Sequence, residues 1–301
     1  MKRAAVFAHY DKDSIIDDYV IYYIENLKKV ADIIIFVSCN NLAEEEKNKI
    51  KVNHIIAEEH KEYDFGSYKR GFLYLKENNL LDDVDELILA NDSCYAPLFP
   101  FEDMFNKMEK EPCDFWGVTK NNHGTSKKII LCFYKREIRP HIQSYFLVLK
   151  NNVFSSTCFI NFLKNVSIEN SKKDIISKYE IGLSEDLVKN NFKYNAYVKS
   201  PKNSGNLTIF KWKKLIQLYK SPCLKCSLAR DYNYEQVGTK DLESVVLNNT
   251  KYPINLIQSN VQRTRFVRRK LPGPDIIRRI YYIFVRFLRI FNISISHLII
   301  K

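Results

Sequence analysis

The runs Ile-Ile-Ile-Phe-Val-Ser at 33–38 and Glu-Leu-Ile-Leu-Ala at 86–90 constrain the fold most, being nearly all apolar and too brief for helices. Runs without polar alternation read as strands covered on both faces, which a parallel sheet between helices provides. Residues 4–9 make a third such strand. Asp11, Asp13 and Ser14 follow as helix-start residues, then an apolar-periodic stretch through Leu27, so the chain opens strand, helix, strand. A charged helix over 42–51, a short strand over 53–57 and a helix over 68–78 continue the pattern. Beyond residue 95 it loosens, with strands expected over 114–118, 129–133, 143–149 and 194–198 and helices over 153–163 and 183–190. The expected fold is α/β, a Rossmann-like nucleotide-binding front half followed by a mixed back half that shapes an acceptor site.

Charge is unevenly placed. Of a net +12, most falls in Gln262–Lys301, where ten Lys and Arg face one acid, Asp275. This divides the chain into a body, 1–260, and a basic segment, 261–301. On a helix starting near Asp275, Arg278, Arg279, Arg286 and Arg289 cluster on one side among Ile276, Ile277, Ile280, Phe284, Phe287, Leu288 and Phe291. Basic residues interleaved with large apolar ones suit an anionic membrane surface, which points to 275–291 as an interfacial helix. A nucleic-acid partner fits poorly, since such binders spread basic residues over a recognition face. The opening residues have too short an apolar run for a signal peptide, and no stretch is long enough to span a bilayer. The expected place is cytoplasmic, peripheral on the inner face of the cell membrane.

Seven cysteines lie apart in ordinary segments, and Cys223-x-x-Cys226 lacks a second pair at zinc spacing. Asn91-Asp92-Ser93 closes a buried strand, the edge where open α/β sheets bind ligands. A carboxylate there suits Mg²⁺ or Mn²⁺ held against a diphosphate; the plainer alternative is a helix N-cap. Tyr63 to Lys69 opens a helix, with Gly66 permitting close backbone approach and Lys69 offering charge to a phosphate. His9 and Asp11 end the first strand. His141 to Phe146 combines polar and aromatic groups suited to a sugar. Glu180, on a loop before a helix that carries Glu185 and Asp186, fits a general base. No G-x-S-x-G or H-E-x-x-H is present.

These segments together resemble the rhamnan synthesis protein F family of polysaccharide-assembly glycosyltransferases. The matching stretches are 7–11, 63–69, 87–95, 113–119, 141–146 and 179–184, then Trp212–Ile216, Pro222 and Arg230-Asp231, covering roughly residues 1–260 in order. The resemblance implies a GT-A-like fold and sugar transfer, of rhamnose or galactofuranose type, from a nucleotide sugar to a lipid-linked rhamnan, O-antigen or capsule chain. On that footing Glu180 and Asp92 are catalytic, and Asp92 is the metal-binding position. His9, Asp11, Asp64, Gly66, Lys69, Asn91, Asp92 and Ser93 bind the donor; Trp116, His141, Gln143, Ser144 and Tyr145 bind the acceptor. A non-catalytic membrane-associated scaffold of polysaccharide assembly is the alternative.

Overall fold

The three apolar runs become neighbouring strands. In the computed structural model, β1 (Arg3–His9), β2 (Ile33–Ser38), β3 (His54–Ala57) and β4 (Glu86–Asn91) run parallel in the order β3-β2-β1-β4. The structure describes residues 1–130, 133–199, 205–230 and 241–264. The expected helix at 275–291 and Cys132 lie outside the described residues. Both sheet faces are covered, as continuous apolar runs require. Phe7, Phe36 and Ile88 pack to one side with Tyr23 of α1 (Asp18–Leu27). Beyond the four-residue α2 (Glu44–Lys47), Phe65 and Phe72 of α3 (Tyr63–Glu77) meet Val6, Ile35 and Leu87 on the other side. Helix α3 approaches closely at Gly71, where a Cβ would stand 2.3 Å from Val6 Cγ1 and 3.1 Å from Val37 Cγ2.

The chain then forms β5 (Cys94–Tyr95), α4 (Phe101–Met108), β6 (Phe115–Ile130), β7 (Phe133–Ile142) and β8 (Phe146–Lys150). Strand β8 lies antiparallel against β4, with Ala90 opposite Phe146, and β6 pairs with β8 and β7. Helices α5 (Asn151–Phe154), α6 (Thr157–Lys164) and α7 (Lys172–Ile175) follow, then a π-helical turn (Ile176–Ile181) running into α8 (Gly182–Lys189). Strand β9 (Tyr194–Val198) adds parallel to β6. Among the described residues this gives one eight-stranded mixed sheet. It is the α/β, mixed-sheet architecture expected of the GT-A-like class. Helices α9 (Leu207–Phe210) and α10 (Trp212–Gln217) lead to β10 (Leu224–Lys225), which pairs antiparallel with β5. The described chain closes with α11 (Ser227–Arg230), α12 (Leu242–Asn249) and α13 (Ile254–Thr264).

Several expectations need correction. Helix α3 begins at Tyr63 rather than 68, because Phe65, Tyr68 and Phe72 share a buried face that starts three residues before 68. The helix at 42–51 shrinks to Glu44–Lys47, whose acidic turn buries nothing. The strands expected at 114–118 and 129–133 belong to a long β6–β7 hairpin with register shifts near Asn121, His123 and Lys127. The helix at 153–163 is two, separated where the Ser156 hydroxyl accepts the Phe159 N–H at 3.3 Å and caps the second. The strand expected from 143 starts at Phe146.

Candidate functional site

Strand register gathers the polar residues. His9 pairs with Ser38 and Ala8 with Asn91, so three parallel strands stop side by side on polar groups. His9 Nδ1 lies 3.2 Å from the Ser38 hydroxyl. Burial pushes the imidazole pKa down, with Asp92 and Asp11 offsetting only part of the shift. His9 is therefore neutral near pH 7, its Nε2 4.0 Å from Asp92 Oδ2.

Asp92 does not cap a helix, because the chain passes straight into β5. Its Oδ2 accepts the Tyr10 N–H at 2.8 Å, and its carbonyl accepts the Tyr19 hydroxyl at 2.8 Å. Burial raises the Asp92 carboxyl above its usual range, against the pull of His9 and the Tyr10 N–H. Oδ1 has no hydrogen-bond partner among the described residues. Asn91 orients the neighbouring groups: its amide donates to Asp64 Oδ2 at 3.0 Å and its carbonyl accepts the Ser93 N–H at 3.2 Å. Asp64, in the first turn of α3, is pushed up to about 6, chiefly by burial and then by the charge of Glu180. Lys225, the Phe65 N–H and Asn91 pull the other way.

Glu180 sits not on a loop but inside the π-helical turn, which aims it at the same edge. Wide turns of this kind often mark functional sites. Ser144 donates to Glu180 Oε2 at 2.8 Å, and His141 Nε2 stands 3.5 Å from Oε1. Burial pushes the Glu180 carboxyl up, but His141 and Ser144 outweigh it and hold it below the usual range. Tyr68 donates to the Ser144 carbonyl at 2.9 Å, tying the 143–145 turn to α3.

Other expected site residues have different surroundings. Lys69 donates to the Val166 carbonyl at 3.0 Å, away from the Asn91–Ser93 turn. Gly66 is buried in α3, where a Cβ would stand 2.5 Å from Glu62 Cβ and 3.0 Å from the His60 ring; it makes room for the chain's own side chains. Trp116 is 1% exposed and packs edge-on to Phe105 at 5.1 Å, so it offers no platform to a sugar. Gln143 and Tyr145 are buried around the Thr119 hydroxyl, at 2.8 and 2.6 Å. Asp11 serves a clamp: Arg263 bonds Asp11, Asp13 and Asp17, fastening α13 to the loop after β1.

Sequence reasoning missed the basic groups beside Asn91–Ser93. Lys225 donates to the Ser93 hydroxyl at 2.9 Å. Arg230 donates to the Tyr19 hydroxyl at 3.0 Å, one contact from the Asp92 carbonyl. The available signal was charge: residues 187–230 contain ten Lys and Arg and no Asp or Glu. Among the described residues no group of three His, Cys, Asp or Glu is placed to hold a metal ion, and no helix is long and apolar enough to cross a membrane.

A family model described as Rhamnan synthesis protein F matches residues 34–284, most of the chain. The chain belongs to that family. The match begins after the 7–11 stretch and extends past residue 260 into the basic segment, so that segment is not foreign to the rhamnan synthesis protein F pattern. Uncharacterized protein y4gN of Sinorhizobium fredii is 26% identical over 51% of this chain, which spans 37% of that relative's length. Among solved structures, core-mannan synthase A from Aspergillus fumigatus, in a Mn/GDP form, shares 10% identity over 61% of this chain and 69% of its own, with a TM-score of 0.35. The mannosyltransferase Ktr4p from S. cerevisiae, in complex with GDP, shares 8% over 64% and 69%, with a TM-score of 0.38. Likenesses this distant carry nothing about substrate or site.

Proposed function

We propose that this rhamnan synthesis protein F member is a glycosyltransferase that moves a sugar from a nucleotide-sugar donor to a growing surface polysaccharide. The observation that carries the reading is the convergence of Asp64, Asp92 and Glu180 at the carboxyl edge of the central strands, in a chain matched by that family over 34–284. A scaffold without turnover has no use for three half-buried carboxylates held at a ligand edge.

Transfer with inversion breaks the bond from sugar C1 to the β-phosphate oxygen as a bond to the acceptor oxygen forms. The acceptor proton passes to a carboxylate, and the nucleoside diphosphate leaves with the electron pair. Two groups compete for that proton. Glu180 is held ionised by His141 and Ser144, which makes it the weaker base. Asp64, near 6, better matches a neutral operating pH. Asp92 orients the donor beside Ser93. A divalent cation, Mg²⁺ or Mn²⁺, fits Asp92 Oδ1, since such ions take one or two carboxylates and complete their shell with water and phosphate oxygens. Bound there it would neutralise diphosphate charge.

The finer parts of the reading are a rhamnose or galactofuranose donor, a lipid-linked acceptor, and attachment to the inner membrane face through 275–291. They rest on the resemblance and on the arginine pattern of that segment. Thermal shift across a panel of nucleotide sugars tests the donor site, because a ligand that binds only the native state raises its stability. One nucleotide sugar is expected to raise the melting temperature of the wild type and not of Asp92→Asn. Equal shifts in both would place the donor elsewhere.

A further inference from the structure

Lys225 is a half-buried cation whose direct contacts are neutral. Strand β10 pairs with β5 so that Lys225 lies opposite Cys94. This places its ammonium on the Ser93 hydroxyl at 2.9 Å and 4.4 Å from the centre of the Tyr145 ring. Tyr145 is itself fixed by Thr119. Some half-buried cations of the chain have a carboxylate, as Arg3 has Glu86, Arg139 has Glu185 and Arg263 has Asp11; Lys225, like Lys69 and Arg230, bonds neutral oxygens instead. Among the described residues no carboxylate lies at ion-pair distance from Lys225. A partly desolvated ammonium without a counter-charge costs stability unless something else is gained. One hydroxyl and one ring face leave N–H donors free for an anion.

The surroundings narrow the choice of anion. Asp64 and Glu180 both feel the Lys225 charge, so the ammonium lies near these carboxylates while it bonds Ser93 of the Asn91–Ser93 turn. A diphosphate is long enough to bridge from the Asp92 side, with or without a bound cation, to the ammonium.

We infer that Lys225 is the group that receives the diphosphate of the donor, with the Ser93 hydroxyl holding the ammonium in place until the ligand arrives. This rests on the glycosyltransferase reading for its role in turnover, but binding of a diphosphate does not need it. As the C1–oxygen bond breaks, negative charge grows on the β-phosphate oxygen, and Lys225 stabilises that charge where it develops. Nothing is transferred to or from the lysine, which keeps its proton throughout.

The test uses inorganic pyrophosphate, titrated calorimetrically into the full chain with Mg²⁺ and with chelator. Lys225→Met is expected to weaken binding about tenfold or more, the worth of one charge-assisted hydrogen bond, and Lys225→Arg to recover most of it. A second measurement needs no variant: pyrophosphate should protect Lys225, and not exposed Lys12, from an amine-acylating reagent followed by mass spectrometry. Unchanged affinity in a folded Lys225→Met, or acylation of Lys225 unaffected by saturating pyrophosphate, overturns the inference. If pyrophosphate binds through Lys225 while no nucleotide sugar is turned over, the diphosphate site stands and the transferase reading falls.

Discussion

The parallel and antiparallel halves of the sheet do different work. In β3-β2-β1-β4 the inner strands β2, β1 and β4 are buried between two helical layers, so their polar ends are fixed by register. The half built from β6, β7 and β8 has a polar hairpin with register shifts, a widened helical turn and a tie from β10 back to β5. The first half sets positions: His9, Asn91 and Asp92 at strand ends, and Asp64 on the helix packed beside them. The second brings Glu180, Lys225 and the Ser144 turn to meet them. A rigid edge with few charges gains groups of both signs when irregular segments deliver them.

Which half supplies the base gives the largest effect. If Asp64 takes the proton, Asp64→Asn should lower the rate by ~10²–10⁴-fold with donor affinity nearly unchanged. Glu180→Gln should then reduce it less, through the charge lost beside His141. The opposite ranking in single-turnover kinetics would return the role to the back half.

Rigidity of the parallel half is tested at Gly71. A methyl there meets Val6 and Val37 from 2.3 Å, so Gly71→Ala should cost about 1–3 kcal/mol of unfolding free energy, in line with other overpacked cores. A denaturation midpoint equal to wild type would mean that α3 shifts freely and that Asp64 is not held by packing.

The clamp between the chain's ends should matter somewhat less. Arg263→Met leaves Asp11, Asp13 and Asp17 facing one another, an expected loss of about 2 kcal/mol, and loosens the loop whose Tyr10 N–H holds Asp92. Stability and donor affinity should fall together; loss of stability alone would separate the clamp from the site.

The smallest effect is a pH dependence. The Asp64 carboxyl, near 6 when folded and near 3.8 when unfolded, is released to ionise on unfolding, so it subtracts stability as pH rises from about 4 to 6. Against Asp64→Asn, the wild type should gain on the order of 1 kcal/mol between pH 6.5 and 4.5, after allowing for partial exposure. A flat difference would show that Asp64 is not perturbed.

How much of this was legible in the sequence follows the same division. The strands of the parallel half could be read because uninterrupted burial leaves a plain apolar signature, and Asp92 because it interrupts one. The β6–β7 hairpin was unreadable in its middle, where Lys120–His123 has loop composition yet Lys120, Asn121 and His123 pair with β7. Glu180 was found as a carboxylate and misplaced as a loop residue, since a π-helical turn has no composition of its own. Lys225 was hidden inside Cys-Leu-Lys-Cys, where the cysteines drew the reading toward metal and redox motifs. Its role depends on a pairing across 130 residues that no local pattern announces. Trp116 and Lys69 were assigned from their place in the 113–119 and 63–69 stretches that resemble the family, and packing gave them other neighbours.

The central claim is sugar transfer at the Asp92 edge. Its most direct measurement is release of nucleoside diphosphate from the nucleotide sugar that binds, with a lipid-linked glycan acceptor, by wild type and Asp92→Asn at matched folding. The account expects turnover by the wild type and a loss of about 10²-fold or more in the variant, the scale of removing a preorganised charged group. Equal turnover by the two proteins would contradict it.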